Sequence, residues 1–114
     1  MMDPQHARDL LAARREEVEK ELAADTPRRE DEEPDPFEAG DASVDLLETE
    51  LAEAQIERLR DELAAIERAE RRLAEGTYGL SVESGEPIPD GRLEVIPWAE
   101  RTADEQARYE GQRG

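Results

Sequence analysis

The chain has no cysteine, and among its 114 residues there is one tryptophan, one phenylalanine, two tyrosines and one histidine. Without cysteine there can be no disulfide, no thiolate nucleophile and no sulfur ligand for a metal. With aromatics at 4% and charged residues at 41%, little apolar material is available for a globular core, and a domain of this size is marginal even with a good one. Basic residues are scarce as well: 15 Lys and Arg face 32 Asp and Glu, leaving a formal charge of −17. That excess argues against direct binding to nucleic acid, whose phosphates would be repelled, and favours a basic protein surface or a channel that admits nucleotides. No glycine-rich phosphate loop of the G-x-x-x-x-G-K-S/T kind occurs. No apolar run approaches bilayer length and no signal peptide is visible, so a cytosolic protein is expected.

What the chain has instead is helical periodicity. Asp3-Pro4 reads as a helix start, with proline tolerated in the first turn. The segment from about His6 to Ala24 is rich in Ala, Leu, Glu and Arg, with Leu11, Val18 and Leu22 on one stripe. It ends near Asp25-Thr26-Pro27. A longer helix is predicted from about Ser43 to Ala74. There Ile56 and Leu63, and Leu59, Ile66 and Leu73, form two rows at seven-residue spacing, the pattern of a coiled-coil seam. The first helix is too short to stand alone, so the simplest arrangement packs the two as an antiparallel pair.

Between them lies REDEEPDPFEAGDAS, with six carboxylates from Glu30 to Glu38 interrupted by Pro34 and Pro36. Like charges and prolines make this an extended acidic loop, at about 25–43, at the far end of the hairpin. Residues 1–76 are therefore expected to form the hairpin and 77–114 a small globular region with a short C-terminal helix, Thr102 to Tyr109. Glu75-Gly76 gives a helix stop. Pro89-Asp90-Gly91 suggests a turn between two short strands. Leu80, Val82, Ile88, Leu93, Val95, Ile96 and Trp98 are the candidate apolar contacts of this knob.

Gly76-Thr77-Tyr78-Gly79, Gly85-Glu86-Pro87-Ile88, Arg92-Leu93-Glu94 and Pro97-Trp98-Ala99 occur in the order and spacing of one known family. On these residues the chain resembles the DksA/TraR regulators, which bind bacterial RNA polymerase through its secondary channel. In that family a Thr-Tyr-Gly stretch leads into one Cys-x-x-Cys, and a second follows the proline-alanine stretch. The four cysteine positions correspond here to Ser81, Ser84, Thr102 and Glu105. Tetrahedral zinc is held by thiolates or imidazoles, and neutral hydroxyls bind it poorly. A zinc-free knob without cofactor is expected, in which Thr102-Ala103-Asp104-Glu105 forms a capping box.

The resemblance also implies a site. Family members place acidic residues at the coiled-coil tip near the polymerase active centre, in the pattern Asp-x-x-Asp-x-Ala. The matching positions are Glu38, Asp41 and Ser43. Arg92 is a family-like position that either touches the polymerase rim or pairs with a nearby acid. Basic residues that hold an alarmone, guanosine tetraphosphate, correspond to Ala65, Ile96 and Gln106, so alarmone binding is not expected. His6 reads as a solvated helix residue, and the three serines have no base beside them, so catalysis is not expected. The fold class is mainly α, and the expected function is regulation of transcription through polymerase. The alternative is an acidic coiled-coil adaptor or nucleic-acid mimic that binds another basic protein; a self-associating structural hairpin is a further rival.

Overall fold

The computed structural model describes residues 2–25 and 42–113. Four helices follow in order: α1 (Pro4–Asp25), α2 (Ala42–Glu75), α3 (Asp90–Val95) and α4 (Ala103–Arg113). Asp3 caps α1: its carboxylate accepts from the His6 N–H at 3.1 Å and its carbonyl from Ala7 at 3.0 Å. α2, with 34 residues, is about 51 Å long at about 1.5 Å per residue. The molecule measures 57 × 31 × 20 Å, a rod with a knob at one end.

α1 and α2 pack side by side and antiparallel. Arg14 and Arg15 of α1 reach Glu62, Glu67 and Glu70 of α2, while Met2 packs beside Tyr78, just beyond the end of α2. The seam is the one the heptad rows predict: Leu11, Val18 and Ile66 are fully enclosed, Ile56 and Leu59 buried, and Leu22, Leu63 and Leu73 partly so. Buried Ala7 and Ala69 add small side chains to the same cluster. α2 outruns α1 toward its own N-terminus, where Leu47 and Leu51 are exposed.

The knob is folded onto the stalk and shares its core. Tyr78, Ile88, Leu93 and Ala99 join Leu11, Ile66 and Ala69 in one cluster. Three glycines, Gly76, Gly79 and Gly85, take positive φ; Gly76 ends α2, where a side chain would be strained. The expected pair of strands across Pro89-Asp90-Gly91 is not what forms. A single antiparallel bridge joins Leu80 to Pro87, and Asp90–Val95 is the short helix α3. Pro89 stands at its N-cap and its carbonyl accepts from the Arg92 and Leu93 N–H groups, so the Pro-Asp-Gly signal starts a helix rather than a hairpin. This turn points Leu93 into the core at 1% exposure. Two of the expected apolar contacts are corrected: Val82 and Val95 are 50% and 75% exposed, and Met2 and Tyr78 provide buried surface in the knob instead. His6 is not simply solvated either. Its Nε2 lies 2.8 Å from a Glu94 carboxylate oxygen, linking α1 to α3 across 88 residues of sequence.

Candidate functional site

The four positions that the family pattern assigns to cysteine come together in the knob. Ser81 and Glu105 are buried, at 5% and 7% exposure, and are the buried polar residues of the described structure. The capping box forms as expected: the Thr102 N–H donates to Glu105 Oε1 at 2.8 Å, and the Glu105 N–H donates to Thr102 Oγ1 at 3.3 Å. Glu105 has a second role that the box alone does not show. The hydroxyls of Ser81 and Ser84 face its carboxylate and favour the charged form, so the 81–84 turn and the start of α4 meet at Glu105. The Thr102 backbone N–H, followed by these hydroxyls, holds the Glu105 carboxyl down at about 2.

This donor set does not fit zinc. It offers three alcohols and one carboxylate already committed to hydrogen bonds, and among the described residues no group of three or more His, Cys, Asp or Glu is arranged to hold a metal.

A second cluster fixes the knob to the stalk. Glu100 accepts from Arg68 Nε at 2.9 Å and Nη2 at 2.8 Å, and from Arg72 Nη1 at 3.3 Å. Burial would push the Glu100 carboxyl up, but the hydrogen bond and charge of Arg68, with the charges of Arg72 and Arg101, leave it below the ordinary carboxylate value. Tyr78 donates its hydroxyl to the Pro97 carbonyl at 2.8 Å, and burial pushes its phenol up to about 12.

Between α2, the 96–101 link and α4 runs an open cleft of about 550 Å³. Ala65, Ile96 and Gln106, which the resemblance matched to alarmone-holding positions, all line it. The cations around them are engaged: Arg68 by Glu100, and Arg101 by Glu83 at 2.6 Å with its guanidinium stacked 3.9 Å above the Tyr109 ring. Arg92 lines the same cleft and donates from Nε to the Arg101 carbonyl at 2.9 Å. Its partner in the fold is thus a backbone oxygen rather than a nearby acid, one of the two roles expected of it. The tip positions are a different matter. Glu38 and Asp41 lie outside the described residues, and Ser43 falls in the first turn of α2.

Known proteins resemble this chain in sequence and in fold. Residues 76–111 match the prokaryotic dksA/traR C4-type zinc finger. The chain is 41% identical over 54 residues to the RNA polymerase-binding transcription factor DksA of Caulobacter vibrioides, covering 47% of this chain and 38% of that protein. It is 39% identical over 51 residues to general stress protein 16O of Bacillus subtilis, covering 45% and 31% respectively. The matched stretches thus span about a third of these curated relatives. In three dimensions it is similar to transcription factor DksA2 from Pseudomonas aeruginosa, with a TM-score of 0.72 and 26% identity over 96% of this chain and 84% of that one. The chain is thus similar to DksA/TraR proteins, and oxygen side chains stand at the four positions that this likeness matches to cysteine. Among the described residues no helix is long and apolar enough to cross a membrane.

Proposed function

We propose that this protein regulates bacterial transcription by binding RNA polymerase through the secondary channel. The hairpin of residues 1–76 serves as a probe and residues 77–114 as the knob that seats it. The observation that carries this reading is the likeness to a transcription factor over nearly the whole chain, stalk included, rather than over the knob alone. The acidic tip, with Glu38, Asp41 and Ser43 at the family positions, acts near the active centre. A carboxylate delivered on a thin rod can perturb cation coordination or basic side chains in a narrow channel. Arg92, on the rim of the cleft, is the proposed polymerase contact of the knob. The protein works in the cytoplasm as a binding factor, not as an enzyme, and its charge of −17 keeps it off nucleic acid itself. Alarmone binding is not part of the reading, because Ala65, Ile96 and Gln106 offer no cation to a phosphate-rich ligand.

Equilibrium binding of the labelled full chain to purified RNA polymerase tests this directly. One molecule per enzyme is expected, displaced by another factor that enters the same channel. No binding, or binding that such a factor does not compete for, would overturn the reading in favour of the acidic adaptor.

A further inference from the structure

The polar centre of the knob is built with a definite direction. Ser81 Oγ accepts from two backbone N–H groups, those of Glu83 at 3.1 Å and Ser84 at 3.2 Å. Ser84 Oγ accepts from Glu86 at 3.3 Å, and Thr102 Oγ1 from Glu105. Each serine oxygen is thus occupied as an acceptor by the turn itself, which leaves its single proton to donate. The Thr102 N–H donates to the Glu105 carboxylate at 2.8 Å, Ser81 and Glu105 are both buried, and the hydroxyls of Ser81 and Ser84 face that carboxylate and favour its charge.

From this convergence we infer that the metal position of the family has become a carboxylate-binding pocket, filled internally by Glu105. In a zinc site a cation sits at the centre and its ligands supply electron pairs. Here the polarity is reversed: an anion sits at the centre and the surrounding groups supply protons. The cross-link has the same topology, because it joins the 81–84 turn to the start of α4. The Val82 N–H to Glu100 carbonyl bond at 2.9 Å reinforces the same junction. The anion also stands in the first turn of α4, where the helix dipole favours negative charge. A buried carboxylate that faces such donors is tolerated, and it is sensitive to deletion because they then lose their anion.

The pocket predicts chemical rescue. In metal-free buffer with chelator, Glu105→Ala should lower the urea midpoint of the full chain by roughly 1 M or more, given charge-assisted hydrogen bonds and a typical denaturant slope. Sodium formate or acetate should then raise that midpoint above its value in sodium chloride at equal ionic strength. Wild type should show no such anion-specific gain, and zinc should move neither protein. Glu105→Gln, which keeps the size of the side chain, should fold and still lose part of the midpoint. The inference is overturned if Glu105→Ala responds equally to formate and chloride, if Glu105→Gln is as stable as wild type, or if purified wild type carries stoichiometric zinc.

Discussion

Arg68 grips Glu100 with two parallel hydrogen bonds, 2.9 and 2.8 Å long, and so ties the middle of the long helix to the link that leads into α4. Arg72 approaches the same carboxylate from one turn further along α2. Removing the carboxylate costs more than removing Arg68. Arg72 is largely buried and would lose its partner, whereas Arg68 is partly exposed and Arg72 would still hold Glu100 in its absence. Glu100→Ala is expected to lose roughly 2–3 kcal/mol, and Arg68→Ala about 1 kcal/mol or less. Urea denaturation followed through Trp98, the single tryptophan, checks the order; equal losses would count against an anchor centred on Glu100.

Acid should loosen the knob before neutral pH does anything to it. The Glu105 carboxyl is held at about 2 in the fold, against an ordinary value of 4.5. A depressed carboxyl contributes its full stabilisation above the unfolded value and loses it as pH falls toward the folded value, because over that window the unfolded chain binds a proton that the native state does not. The contribution is therefore complete above about pH 4.5 and fades as pH falls toward 2. Glu105→Gln has no such proton to take up. Its midpoint should lie below that of wild type at pH 7 and approach it near pH 2, while parallel curves across that range would contradict the assignment.

Core truncation should reach both parts of the molecule, because stalk and knob share a single cluster. Ile66 is fully enclosed, with Leu11 and Val18 of α1 and Leu93 of α3 in the same cluster. Ile66→Ala is expected to cost roughly 2–5 kcal/mol, a large share of what a small domain has. Helix content by circular dichroism and Trp98 fluorescence should be lost together. A knob signal that survives melting of the helices would show two independently folding units instead.

The stalk was readable from sequence because its information is local and periodic. Ile56, Leu59, Leu63 and Ile66 name their own face at seven-residue spacing, and Asp3-Pro4 and Glu75-Gly76 punctuate the ends. The capping box of Thr102 and Glu105 was readable for the same reason, since both partners lie within one turn. What could not be read is whatever depends on distant segments meeting. His6 and Glu94 are neighbours only because α1 folds back beside the knob, and Ser81 meets Glu105 only after the chain has turned through α3. Pro89-Asp90-Gly91 was ambiguous on its own terms: proline and aspartate suit the first turn of a helix as well as a tight turn. Packing of Leu93 decided between them. Val95 shows the converse, an apolar residue whose sequence suggests burial but whose place at the end of α3 leaves it in solvent.

The cleft between α2 and α4 yields a negative prediction with a clear readout. Its arginines are already satisfied by Glu100, Glu83 and a backbone carbonyl, and Asp61, Glu62 and Glu110 add negative charge to its walls. Guanosine tetraphosphate should therefore leave the effect of this protein on purified polymerase unchanged. A Gln106→Lys, Ile96→Arg double substitution supplies two cations on the cleft wall and should introduce a response. Sensitivity in the unmodified protein would mean that the cleft holds polyphosphate by contacts other than these.

The tip can be separated from the anchor in one experiment. On the proposed reading Asp41 stands at the second aspartate of the tip pattern and its charge acts at the active centre, while the knob and stalk supply affinity. Asp41→Asn removes one negative charge with almost no change in size, so binding to polymerase should fall by less than about threefold, in line with the small value of a single exposed charge. The change in transcript yield from a responsive promoter should be largely lost. Glu38→Gln should act in the same direction. Arg92→Ala should do the opposite: weaker binding, with the full effect restored at higher protein concentration. If Asp41→Asn retains the whole effect while binding normally, the charge that matters lies elsewhere in the acidic segment, and Asp41 has no part in the mechanism.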